Sequence, residues 1–209
     1  VLPHTPHALS VSALAQQHNK EVMIHLPMSS LNRDVSDPLT LTEQLTPEAF
    51  DLLLGEALRA VPGARGVNNH MGSSLTGNRP AMTRLMRRLR EENLFFIDSR
   101  TSPDTVAATV AGELKVPHTS RDVFLDHTRT SEAIAVALGQ AVNLALETGS
   151  ALAIGHPYAE TLALLEAQLP LLPEPLRIAS ASELVACHAN ELKPSQVAPQ
   201  GQTEQADRP

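Results

Sequence analysis

Three histidines in this 209-residue chain stand where an apolar run gives way to polar residues: His25 in Lys20–Met28, His70 in Gly66-Val67-Asn68-Asn69-His70-Met71-Gly72-Ser73-Ser74, and His156 in Ala151–Pro157. Two more runs end similarly, Leu94–Ile97 in Asp98-Ser99-Arg100 and Val123–Leu125 in Asp126-His127. Ionisable groups at the carboxyl ends of successive strands mark the active end of barrels and open α/β sheets. Two imidazoles plus a carboxylate make the ligand set of a hydrolytic zinc site with a position left for water, so His25 and His70 are the candidate metal ligands. The competing reading gives each histidine a bond to a nearby carbonyl and no chemistry. His156, between Gly155 and Pro157, is the candidate general acid, because an imidazole with a pKa near 6.5 can protonate a departing amine. Asp98 and Arg100, two apart, are expected on one side of an extended chain, as an ion pair that orients a base or binds a substrate oxygen or as a salt bridge closing the mouth. Asp126 completes the catalytic candidates, with Asp122 assigned to the far end or to Arg121. Asn68, Asn69, Ser73 and His4 are the candidate substrate-binding groups.

The elements that must position these residues alternate. Helices are expected over 5–17, 46–61, from Pro80, from Ser102-Pro103-Asp104, and over 131–146, 160–168 and 182–188. Strands are expected over 21–26, 64–67, 94–97, 121–126, 151–154 and 177–179, with 29–46 a polar loop over the site. Val1–His4 reads as the end of a further strand, so a segment upstream of Val1 is expected. Six or seven parallel strands joined by right-handed crossovers allow an open doubly wound sheet or a barrel. Polar groups at nearly every strand end favour the closed β/α barrel over the open sheet. Residues 1–190 form one domain in this reading, and 191–209, rich in Gln, Pro, Ser and Asp, form a disordered tail.

Composition narrows the function classes. The formal charge is −7, there is no Trp, and the one basic cluster, Arg87-Arg88-Leu89-Arg90, suits a solvated helix face, so nucleic acid is not the expected partner. One cysteine excludes an intrachain disulfide or a Cys-based zinc site. No apolar run reaches the roughly 18 residues of a membrane span. Neither a nucleotide-binding glycine loop nor a Gly-x-Ser-x-Gly elbow is present, which leaves a serine hydrolase built on Ser73 or Ser74 as a remote alternative.

The motifs Val1-Leu2-Pro3-His4, His25-Leu26-Pro27-Met28, Asn68-Asn69-His70-Met71-Gly72-Ser73, Phe96-Ile97-Asp98-Ser99-Arg100-Thr101, Arg121–Asp126 and Ile154-Gly155-His156-Pro157 occur in an order that resembles the divergent polysaccharide deacetylases over about residues 1–188. The resemblance implies a distorted β/α barrel of about seven strands with the first missing from this chain, a divalent metal with zinc foremost, an N-acetylated glycan substrate and a periplasmic location, and leaves the oligomeric state open. It also implies an upstream strand carrying an Asp pair, one carboxylate for metal and one as base. Ordinary deacetylases place a second histidine four residues after the first, where this chain has Ser29; His70 is the expected replacement. The family's divergence allows a second expectation, a catalytically degenerate envelope domain that binds glycan or acts as a scaffold without turnover.

Overall fold

The computed structural model describes residues 1–31 and 37–191. The expected tail from 192 onward, and part of the expected loop over the site, lie outside those residues.

Three helices begin where the sequence supplies side-chain acceptors for free N–H groups. Helix α2 (Pro47–Ala60) is capped by Thr46, whose hydroxyl accepts from Ala49 N–H, with Pro47 in the first turn. Helix α3 (Arg79–Glu91) uses Asn78, and α5 (Ser131–Thr148) uses Thr130 and ends at Gly149, whose φ of +90° suits glycine. Helix α4 (Ala107–Glu113) starts later than its Ser-Pro-Asp signal predicts. Thr105 hydrogen-bonds the Asp98 carboxylate and accepts from Ala107 N–H, so the first helical turn is set by a strand-end acid rather than by Ser102. Helices α1 (Ala8–Gln17), α6 (Ala159–Gln168) and α7 (Ala181–Glu191) complete the set.

Strands β1 (Met23–Met28), β2 (Gly66–Met71), β3 (Phe95–Asp98) and β4 (His118–Ser120) form one parallel sheet in that order, and β5 (Val123–Phe124) pairs in parallel with β6 (Ala153–Ile154) in a second. The α/β class and the parallel alternation agree with expectation, and the arrangement is compatible with a distorted barrel. Two details differ. His118, expected in a loop, belongs to β4, and residues 177–179, expected as a strand, form none. Arg121 N–H bonds Asp98 O at 2.8 Å and Asp122 N–H bonds Leu152 O at 2.9 Å, carrying the chain from one sheet to the other. At the free side of β1, Val1 takes ladder positions, its amine donating to Met23 O and its carbonyl accepting from His25 N–H.

Strand alternation divides the side chains. Ile24, Leu26, Met28, Val67 and Phe96 face the helices and pack with Leu54, Leu85, Met86, Leu89 and Val110 in the main core. The other face carries Met23, His25 and Pro27 on β1, and Gly66, Asn68 and His70 on β2. Its amino-terminal half is covered by α7, whose Val185 packs with Phe95, Ile97 and Leu152. His188 ties the same helix to Thr119 and Ser150. The polar carboxyl-terminal half is thereby left for chemistry.

Gly66 allows this packing, because a Cβ there would lie 2.3 Å from the Phe95 ring. Gly66→Ala is expected to cost about 1–3 kcal/mol in urea denaturation, the range for overpacking a core. Gly139→Ala on α5, with nothing within 4 Å, is expected to be neutral or stabilising by up to about 1 kcal/mol. Equal effects at the two positions would contradict the packing described.

Candidate active site

The β1–β2 register pairs His25 with Asn68 and Pro27 with His70, so both imidazoles emerge on one face one step apart. His25 Nε2 and His70 Nδ1 lie 3.0 Å apart, with ring centroids separated by 4.7 Å. Asp37 extends the cluster. Its carboxylate lies 3.9 Å from His70 Nε2 and 3.8 Å from His4 Nε2. Burial, the neighbouring His70 and, more weakly, His156 lower the His25 pKa to about 4, against an opposing contact with Asn68. The His70 pKa is also lowered, by burial foremost, although Asp37 pulls the other way. His25 is therefore neutral at pH 7, the state in which an imidazole can bind a metal.

His156 approaches from the second sheet. Its Nδ1 bonds Asp126 Oδ1 at 2.9 Å, while Asp126 Oδ2 accepts from His156 N–H at 2.6 Å and from Thr161 Oγ1 at 2.9 Å. Burial tends to raise the Asp126 pKa, but these bonds outweigh it and hold the carboxyl below its usual range. The Asp126 side chain is fully covered, whereas that of His156 is 46% exposed, so the pair presents Nε2 to solvent. Phe124 and Tyr158 flank the ring at 5.5 and 5.0 Å. Charge on His156 is felt at both His25 and His70, which links the dyad electrostatically to the imidazole pair.

The remaining candidates divide. Asn68 Nδ2 donates to Ser99 Oγ, and its side chain also meets His25. Asn69 is buried: its Oδ1 accepts from Ser99 N–H and its Nδ2 donates to Met71 O, so it straps β2 to the end of β3 rather than facing a substrate. Ser73 Oγ is engaged by Ser30 Oγ and Leu31 N–H, and Ser74 Oγ donates to Glu43, which also takes Ser29 Oγ. Burial would raise the Glu43 pKa, but these hydroxyls lower it. Among the described residues no histidine hydrogen-bonds Ser73 or Ser74, whose hydroxyls are taken by Ser30, Leu31 and Glu43, which removes the geometric basis for a serine triad. The expected Asp98–Arg100 ion pair is not formed. Asp98 is buried and accepts from Arg100 N–H and Thr105 Oγ1, while the Arg100 side chain turns outward from a left-handed backbone with φ of +50°. Asp122 holds Leu152 N–H at the start of β6. His4 brings one imidazole nitrogen toward Asp37 and leaves Nδ1 buried without a partner among the described residues.

A metal fits this geometry in part. Nitrogens at roughly 2.0–2.1 Å from a tetrahedral ion stand about 3.3 Å apart, close to the His25–His70 separation. Among the described residues, no three His, Cys, Asp or Glu side chains converge on one metal position, so this pair supplies two donors of an incomplete set.

A family model described as divergent polysaccharide deacetylase matches residues 1–185. The chain belongs to that family. It is 36% identical over 185 residues to the uncharacterized protein YibQ of Escherichia coli K12, covering 88% of this chain and 58% of that protein. An uncharacterized protein of Haemophilus influenzae Rd is 33% identical over 184 residues, covering 88% and 66%. The chain thus spans less than two thirds of each of these relatives. The crystal structure of ATU2773 from Agrobacterium tumefaciens C58 superposes with a TM-score of 0.78 at 19% identity over 81% of this chain and 70% of that one, a likeness of fold. Within this divergent deacetylase fold, sequence reasoning passed over Asp37, Glu43 and Thr161. Glu43 and Asp37 lay in a loop without periodicity, and Thr161 sits in a helix three residues after Tyr158, where only contact with Asp126 reveals it.

The depressed His25 pKa makes a signed prediction. The unfolded imidazole gains its proton near pH 6.5 and the folded one near 4, so the chain loses stability as pH falls through that window, by a few kcal/mol in all. Urea denaturation at pH 7 and pH 4.5 is expected to show the loss, and His25→Gln to remove most of it. An unchanged pH slope in His25→Gln would contradict the burial of a neutral imidazole.

Proposed function

We propose that the site hydrolyses N-acetyl groups of an envelope polysaccharide. The observation that carries the reading is the Asp126–His156 dyad, a buried carboxylate orienting a half-exposed imidazole close enough for its charge to act on both His25 and His70. In amide hydrolysis, water adds to the carbonyl carbon, the C–N bond breaks, and the departing nitrogen must gain a proton. Asp126 fixes the Nδ1 proton of His156 and stabilises the imidazolium, so Nε2–H can donate to that nitrogen as it leaves. Thr161 and the His156 backbone N–H hold the other carboxylate oxygen and prevent the dyad from rotating. His25 and His70 would hold a divalent metal, with zinc the foremost candidate on ligand type. When bound, such an ion supplies Lewis-acid polarisation of the amide carbonyl and acidifies water toward a pKa of about 7. Asp37 orients His70, and Asn68 supports His25. Asp98 acts on the site through Thr105 and the loop that follows β3, a positioning role. A periplasmic location suits an envelope substrate.

The intact protein, purified without chelators, is expected to carry zinc or a related divalent ion and to release acetate from N-acetylated oligosaccharides. His156→Gln and Asp126→Asn are each expected to lower kcat by about 10²–10⁴-fold, the usual worth of general acid catalysis, with metal content retained. His25→Gln and His70→Gln are expected to lower metal content as well. Metal below about 0.2 per chain with no acetate release, together with undiminished glycan binding in His156→Gln, would favour a degenerate binding domain instead.

A further inference from the structure

A cleft opens between the loops that follow β3 and β4. It has a volume of about 480 Å³ and is lined by Arg100, Ser102, Pro103, Arg121, Asp122 and Leu144. Two arginines and one aspartate line it, in a chain whose formal charge is −7, and the charge of Arg100 is felt at Arg121. Arg121 is fixed in place: Nε donates to Ser99 O at 2.7 Å, Nη2 donates to Arg100 O at 2.9 Å, and the guanidinium lies over the Phe124 ring at 5.3 Å. A guanidinium has five N–H donors and these bonds use two, so the rest of its fork remains for a ligand. The Arg100 side chain makes no hydrogen bond or ion pair among the described residues. The Asp122 Oδ2 atom is already occupied by Leu152 N–H. Burial and the charge of Arg100 both make the Arg121 cation harder to hold, outweighing the help of Asp98 and Asp122. Phe124 touches this cation on one side and His156 at 5.5 Å on another, so one aromatic ring separates the cleft from the proton donor.

We propose that Arg100 and Arg121 form an anion subsite, which holds a carboxylate or phosphate on a sugar neighbouring the one presented to His156. The substrate class is thereby narrowed to an acidic N-acetylated glycan; this rests on the deacetylase reading for the glycan, and on the cleft alone for the anion. An anion there would accept two guanidinium forks and relieve the repulsion between them.

Calorimetric titration of the intact protein with two N-acetylglucosamine-containing tetrasaccharides, one neutral and one with alternating glucuronates, tests the subsite. The acidic sugar is expected to bind about tenfold more tightly at low salt, a difference of about 1.4 kcal/mol, and inorganic phosphate is expected to compete with it. Arg100→Gln is expected to reduce the preference to about twofold or less, while Arg87→Gln, an equal change of charge on the exposed face of α3, leaves it intact. Phosphate titrated into ¹⁵N-labelled protein is expected to shift the Arg121 Nε resonance, a readout independent of any sugar. A sugar phosphate binding more tightly than the glucuronate would assign the anion to phosphate, and the reverse order to carboxylate; both support the subsite. Equal affinity for acidic and neutral sugars, equal loss in both variants, or no response of Arg121 to phosphate would overturn it. Acetate release measured on both sugars separates the two readings. Anion preference without release leaves the subsite standing and the deacetylase reading failed, and release without preference does the reverse.

Discussion

Parallel pairing of β1 with β2 in a single register is the constraint on which the site depends. Because side chains alternate, that register sends Ile24, Leu26, Met28 and Val67 into the helix-covered core and turns His25, Asn68 and His70 to the opposite face. A slip of one residue would bury the imidazoles among leucines and expose the core, so the cost of misplacing apolar side chains holds the two rings 3.0 Å apart. The imidazole pair is thus positioned by the hydrophobic effect acting on residues packed on the opposite face of the sheet.

Covering one end of that face defines the other. Val185 and the His188 bonds fasten α7 over the amino-terminal half, where Met23, Phe95 and Leu152 are apolar. The carboxyl-terminal half collects His25, His70, Asp37 and His4, and receives His156 from the second sheet. Burial keeps His25 uncharged, which prevents two adjacent imidazoles from repelling one another and leaves lone pairs available. Asp126 is treated oppositely: three donors keep it ionised although its side chain is covered. Burial thus gives a neutral imidazole at His25, while hydrogen bonding gives an anion-oriented ring at His156.

Much of this was legible in the chain itself. Apolar runs ending in polar residues marked β1, β2, β3 and β6, and Thr46, Asn78 and Thr130 marked helix starts because capping is a local interaction. The convergence of His25 with His70, one crossover apart, followed from the parallel topology. What the sequence could not show was set by tertiary partners. Asp98 and Arg100 look like an ion pair when read two apart, but Thr105 and the turn's own N–H reach the carboxylate first, and Arg100 swings into another cleft. Asn69 resembles a site amide until its bonds to Ser99 and Met71 are counted. Residues 118–120 were too short and polar to signal a strand, and they gain their ladder only by lying beside β3.

The central claim is that the strand-end imidazoles form a chemically connected group with the Asp126–His156 dyad beside it. Zinc titration of the intact protein labelled with ¹⁵N histidine, followed through the ring nitrogens, tests it most directly. Joint movement of His25 Nε2 and His70 Nδ1 to metal-coordinated shifts, with His156 keeping its proton on Nδ1, is the predicted result. Coordination confined to exposed histidines such as His7 or His18, with the 25 and 70 rings unmoved, would contradict the account.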